Sequence, residues 1–155
     1  AQMANPGALV IDISGDGSFQ MNLQELATAV LNKVNVKVII LNNHYLGMVR
    51  QWQEMFYGKR YSATCLHRTT KCPPECSTPG QKGCPVYVPD FVALAQSYGA
   101  VGLRASEKKD VVPVLEKAFS TDNTVVVEFI VEKEENVLPM VPAGAALHEI
   151  ITKLA

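Results

Sequence analysis

The chain has 155 residues, enough for one domain with a sizeable core. Its content of 48% hydrophobic and 19% charged residues is that of an ordinary soluble globular protein, and its formal net charge of −1 argues against a broad nucleic-acid footprint, which needs clustered Lys and Arg. No apolar run approaches the roughly 20 residues needed to span a bilayer. The N-terminus carries no basic stretch followed by an apolar segment, so a signal peptide is not expected and a cytoplasmic setting is. The sequence does not begin with Met, and residues 1–6 lead almost at once into an apolar run, as in a piece cut from something longer.

Residues 8–13 (ALVIDI) are an apolar run without helical spacing and read as a buried strand. Residues 14–19 form a Gly-containing turn. Residues 22–33 then place Leu23, Leu26, Ala27, Val30 and Leu31 at helical spacing, with Asn22 as a candidate cap and Glu25 as its capping-box partner. Residues 36–41 (VKVIIL) read as a second buried strand, which makes a βαβ unit and hence a parallel, right-handed crossover. A second helix is expected over 46–57. Further on, 90–98 reads as helix with Gly99 as its stop, 101–103 as a short strand, 106–119 as helix and 125–131 (VVVEFIV) as a strong strand. This alternation predicts a single α/β domain, a parallel sheet flanked by helices.

Residues 63–89 differ. They hold Pro73, Pro74, Pro79, Pro85, Gly80, Gly83 and all four Cys, with no apolar periodicity, and read as a long surface loop. Cys65, Cys72, Cys76 and Cys84 with His67 would be enough ligands for zinc, but no Cys-x-x-Cys pair occurs. An unliganded loop is therefore preferred over a metal site, and a metal site over disulfides. After Glu135 the tail is interrupted by Pro and is expected to wrap over the body, with a terminal helical turn over 148–154.

The chemistry concentrates where strands end. Gly15, Asp16 and Gly17 follow the first strand, and Asn42 and Asn43 end the second. In a parallel sheet both segments emerge at one edge, the edge where open α/β folds bind ligands. Asp16 offers an anionic oxygen and Asn43 a neutral amide oxygen, both suited to magnesium. The glycines allow a phosphate close to the backbone, and a helix N-terminus beyond them favours an anion. Either segment alone is most often a plain turn. Together they point to a metal and a phosphate, without saying which cofactor. His44, His67 and His148 make no Ser-His-Asp arrangement, and none is expected to be a ligand of this edge.

Gly15-Asp16-Gly17 followed after 24 residues by Asn42-Asn43 resembles the thiamine-diphosphate motif that begins GDG and ends NN. Residues 15–30 (GDGSFQMNLQELATAV), 41–62 (LNNHYLGMVRQWQEMFYGKRYS), 89–100 (PDFVALAQSYGA) and 137–144 (VLPMVPAG) resemble the catalytic subunit of acetolactate synthases, in the domain that binds the cofactor's diphosphate. The run through Gly47, Met48, Gln51, Trp52 and Phe56 speaks against another thiamine enzyme, such as a pyruvate oxidase or glyoxylate carboligase, which stays a weaker alternative.

The resemblance implies thiamine diphosphate and Mg2+ as cofactors. It implies Asp16, the Asn43 side chain and the Tyr45 carbonyl as metal ligands. Cofactor contacts would come from Gly15, Gly17, Ser18, Leu46, Gly47 and Met48. Met48 and Trp52, one helical turn apart, would line the substrate channel, although on composition alone core packing is the simpler role for both. The implied reaction decarboxylates pyruvate and transfers the two-carbon unit to a second 2-ketoacid, a step in branched-chain amino acid biosynthesis, with the cofactor as electron sink.

Two departures stand out. The family's activating Glu lies in a pyrimidine-binding domain to which no residue here can be matched, so the isolated chain is expected to hold half a site and to be inactive without that domain in the same or another chain. The Cys-rich stretch looks like an insertion. A homo-oligomer and a regulatory subunit are implied partners. A non-catalytic cofactor-binding or interaction module is the competing reading.

Overall fold

The structure is a computed structural model, and it describes residues 1–66, 89–133 and 135–153. The chain divides into two compact units, Ala1–His44 with Val86–Val131, and Tyr45–Pro85 with Glu132–Ala155.

The first unit is built on a parallel four-stranded sheet. Strand β1 is Val10–Gly15, β2 Val36–Asn42, β3 Val101–Ala105 and β4 Val125–Ile130, in spatial order β1-β2-β4-β3. Helices α1 (Asp16–Phe19) and α2 (Glu25–Leu31) connect β1 to β2, α4 (Phe91–Ser97) precedes β3, and α5 (Val111–Ser120) connects β3 to β4. The expected parallel α/β architecture is present.

The two faces of the sheet carry separate cores. Phe19, Leu26, Val38, Ile40, Phe91, Ala95, Ala100 and Val126 fill one. Ile39, Ala105, Ala118, Val125, Val127 and Phe129 fill the other. Successive residues of β4 therefore serve opposite faces, as a central parallel strand requires. Val125, Val126 and Val127 are almost wholly buried, each contributing about 1.5–3 kcal/mol by transfer from water. Phe19 and Phe91 meet edge to face at 5.6 Å between centroids.

Several local expectations change. The run at 8–13 is a strand shifted to Val10–Gly15, and it is not buried. As the edge strand it leaves Ile11 and Ile13 exposed at 40% and 68%. Hydrophobicity identified the strand but carries no information on its place in the sheet. The turn at 14–19 is a strand end followed by one α-helical turn. Asn22 does not cap α2. Its carbonyl accepts the Glu25 N–H at 3.0 Å in a preceding turn, and Gln24 occupies the cap position without a side-chain bond. The helix expected over 106–119 is broken into a 3-10 turn, Lys108–Asp110, and α5, with Pro113 in the first helical turn where its missing N–H costs nothing.

Helix α4 lies within the expected 90–98 and stops before Gly99 as expected, but Asp90 is its cap and not its first residue. The Asp90 carboxylate accepts the N–H groups of Val92 and Ala93 at 3.0 and 3.2 Å, and Gly99 beyond its end adopts φ +83.

In the second unit, α3 is Gly47–Phe56, as expected from the pattern over 46–57. The buried Gln51 clamps the tail: its Oε1 accepts the Val137 N–H at 2.6 Å and its Nε2 donates to the Val137 carbonyl at 3.1 Å. Arg50 pairs with Glu54 at 3.0 Å, and Asn136 bonds both. Cys65 is half-buried and forms an isolated antiparallel bridge with Tyr45. The terminal turn is a 3-10 turn at Leu147–Glu149. It stops short of the expected range because Ile151 pairs in extended form with Met140. His67, Cys72, Cys76 and Cys84 lie outside the described residues. Among the described residues no helix is long and apolar enough to cross a membrane, and no three His, Cys, Asp or Glu side chains cluster to hold a metal ion.

Candidate functional site at the strand ends

Strands β1 and β2 are parallel and in register through Gly15↔Leu41. Asp16 follows Gly15 directly, and Asn42 and Asn43 follow Leu41, so the two motif segments leave the sheet at one edge of the first unit. Asp16 is buried, at 1% exposure, as the first residue of α1. Gly15, Gly17 and Asn43 are half-buried and Ser18 is exposed. Gly15 gives α1 no side-chain cap. The helix directly after the motif is a single turn, so its axial dipole is small; what remains for an anion is the set of backbone N–H groups of that turn.

The other expected residues belong to the second unit. Tyr45 is buried at 5% exposure. Leu46 stands at the N-cap position of α3, with its N–H donated to the Thr64 carbonyl at 2.9 Å, and Gly47 opens the helix. Met48 and Trp52 are 50% and 44% exposed, so neither is a core residue. Trp52 lines a cavity of about 230 Å³ with Phe56, Tyr57, Met140, Pro142 and Ala143. Met48 is outside that lining.

Three residues at the strand-end edge, Glu128, Arg104 and Asp90, were not picked out from the sequence. Glu128 is buried on β4 at 2% exposure. Its carboxylate accepts Arg104 Nε at 2.6 Å and Asn42 Nδ2 at 2.6 Å. Arg104 also donates to the Asp90 carboxylate at 2.7 Å. Burial pushes the Arg104 guanidinium down, but Glu128 and then Asp90 outweigh it and hold it above its ordinary value. The Asp90 carboxyl is held below its ordinary value, first by the Ala93 N–H and also by Arg104. The one available signal was a lone carboxylate inside the apolar run VVVEFIV.

Fold and edge together define a class: a parallel α/β domain whose strand-end loops carry hard oxygen donors. Residues 1–129 match the family described as "Thiamine pyrophosphate enzyme, C-terminal TPP binding domain", and the chain belongs to that family. It is 45% identical to an acetolactate synthase of Mycobacterium bovis over 97% of its own length and 22% of that protein's. It is 40% identical to chloroplastic acetolactate synthase 1 of Oryza sativa subsp. japonica, with the same coverage of 97% and 22%. A thiamine diphosphate-dependent 4-hydroxybenzoylformate decarboxylase of Rhodococcus jostii RHA1 has a similar structure, with a TM-score of 0.65 and 26% identity, over 88% of this chain and 22% of that one. The chain thus spans about a fifth of the length of these relatives.

Proposed function

We propose that this chain holds the diphosphate of thiamine diphosphate through Mg2+, as part of a carboligase that decarboxylates pyruvate and passes the two-carbon unit to a second 2-ketoacid. The observation that carries the reading is the pair of oxygen donors at one sheet edge, the Asp16 carboxylate and the Asn43 amide, on in-register strands. The donor set fits the ion: one anionic and one neutral hard oxygen, with no thiolate or imidazole, leaves room in an octahedron for phosphate and water. Family resemblance adds the Tyr45 carbonyl, two residues on in the chain. Gly15 has φ −80, and a Cβ there would meet only Ser18 Oγ, at 3.8 Å. The protein's own packing therefore makes no demand for glycine at this position, which agrees with a diphosphate approaching the backbone here.

When bound, the cofactor supplies the electron sink for loss of carbon dioxide. The chain's own contribution is to anchor and orient. Gly17 and Ser18 offer backbone N–H groups to the diphosphate. Exposed Met48 and Trp52 offer apolar surface to the reacting ketoacids, and the cavity beside Trp52 would take the acceptor's alkyl group. No residue here is matched to the family's activating Glu. The chain by itself is thus expected to bind and not to turn over, and to gain activity with a pyrimidine-binding domain. A homo-oligomer, a regulatory subunit and a cytoplasmic setting belong to the same reading.

Calorimetric titration with thiamine diphosphate tests it. Binding is expected only with Mg2+ present, and Asp16→Ala should weaken it at least about tenfold, or 1.4 kcal/mol. Cofactor binding indifferent to Mg2+, to Asp16→Ala and to Asn43→Ala would remove the metal site. Acetolactate formation by the chain alone would overturn the half-site argument.

A further inference from the structure

The motif ends in two asparagines, and only the second is given to the metal. The first has a different set of partners. Asn42 is fully buried. Its carbonyl accepts the Val131 N–H at 3.0 Å. Its Nδ2 donates to Glu128 Oε1 at 2.6 Å, and its Oδ1 accepts the His44 N–H at 3.0 Å. That last bond closes a turn around Asn43. His44 in turn sits at φ +63, in the left-handed region that a side chain with a Cβ seldom adopts without support.

The direction of these bonds is not arbitrary. An ionised carboxylate can only accept, and a guanidinium can only donate. Arg104 Nε therefore takes Glu128 Oε2, and Glu128 Oε1 must be met by a donor. The Asn42 amide has one donating and one accepting end, so Glu128 decides which end faces it. With Nδ2 committed to Glu128, the oxygen is left for His44.

We propose that Glu128, pinned by Arg104, is a positioning residue for Asn43: its acceptor-only carboxylate turns the Asn42 amide the one way round that ties down the His44 N–H and so shapes the loop that presents Asn43 to magnesium. The proposal rests on the reading of Asn43 as a magnesium ligand. A glutamine at position 128 would reverse the polarity of the chain. Its oxygen would keep Arg104, its NH2 would face Asn42, and the Asn42 oxygen would have to turn toward it. The His44 N–H would then face an NH2 group.

The test uses the full chain with Glu128→Gln and the double variant Glu128→Gln, Asn42→Asp. Amide hydrogen exchange at His44 reads the loop without cofactor. Protection there is expected to fall about tenfold in Glu128→Gln, with Val126 and Val127 unchanged. The double variant should recover it, because a carboxylate at position 42 can accept from the new amide at position 128 through one oxygen and from the His44 N–H through the other. In parallel, Mg2+ titration in the presence of thiamine diphosphate should give a Kd for Mg2+ raised about 10- to 100-fold in Glu128→Gln, with cofactor binding restored at saturating Mg2+. A lower Tm with His44 exchange and Mg2+ affinity both at their original values would overturn the proposal and leave Glu128 as a buried ion pair of the fold. If Glu128→Gln does not fold, a folded double variant without His44 protection overturns it equally. An unmodified chain that binds Mg2+ no better than Asp16→Ala would bring down the metal site, and the role given to Glu128 with it.

Discussion

Gly102 on β3 lies directly against Val92 on α4: a Cβ added to the glycine would meet the Val92 carbonyl oxygen at 2.6 Å and its Cα at 2.9 Å. Both are backbone atoms, so relief requires the helix to move and not a side chain to rotate. Gly102 thereby sets how closely α4 packs on the sheet, and with it the place of Asp90, which caps α4 and pairs with Arg104. Gly102→Ala is expected to destabilise the fold by about 1–3 kcal/mol in denaturant titrations. Gly7→Ala, with nothing within 4 Å of the added atom, is the control and should stay within about 0.5 kcal/mol.

Asp90 makes part of the stability depend on pH. Its folded pKa lies below the ordinary 3.8, so the unfolded chain holds the proton more tightly there. Its contribution is complete above pH 3.8 and is lost as the pH falls through the lower folded value. Asp90→Ala should cost about 1 kcal/mol at pH 7, as loss of a helix cap. The gap between the two proteins should hold constant down to about pH 5 and close in more acidic solution. A gap that widens with acid would contradict the assignment.

Gln51 holds the 137–140 segment through both ends of its amide. Gln51→Leu keeps most of the volume and removes both bonds to Val137. Faster hydrogen exchange at Val137 is expected, by about tenfold or more, with Val127 in the sheet unaffected. Equal loss of protection at both positions would mean global unfolding in place of local release.

Metal removal gives a sharper prediction than mutation. On the proposed reading, in which Asp16 and Asn43 hold the ion through hard oxygens, a chelator of divalent ions should release thiamine diphosphate from the chain, and Mg2+ should restore binding. Retention of the cofactor in excess chelator would show that Asp16 and Asn43 do other work.

Trp52 is the only tryptophan and is 44% exposed beside its cavity, so its fluorescence should be that of a solvated indole. Together with a pyrimidine-binding domain, Trp52→Leu is expected to change the ratio of products formed from pyruvate and 2-ketobutyrate by about 5- to 150-fold. One removed contact of an alkyl group is worth about 1–3 kcal/mol of discrimination. An unchanged ratio would take Trp52 out of acceptor choice.

The order of strands and helices was legible along the chain because element type is a local property. A run such as VKVIIL has no helical periodicity to satisfy, and the pattern in QSYG ends a helix because only glycine takes φ +83 without strain. The motif residues were legible for a related reason. Asp16 and Asn43 each follow a strand that the local pattern reveals, and the two strands pair in parallel register as far as Gly15↔Leu41. Family membership also followed from local runs, 15–30 and 41–62, that stand within the matched residues 1–129.

The sheet order was not legible. Nothing in residues 8–13 says that β1 will lie at an edge with Ile13 exposed at 68%, because edge or centre depends on which other strands pair with it. The same holds for Glu128, which reads as an oddity in an apolar run until β4 is inserted between β2 and β3. That insertion brings Asn42, 86 residues away, and Arg104, 24 residues away, to its two oxygens. The sequence by itself determined which oxygen-bearing side chains follow the ends of β1 and β2, since each is fixed by its own strand end. Only the tertiary structure decided which groups meet Asn42 and Glu128 there, because a buried charge takes its partners from whichever strands the burial of the core has made its neighbours.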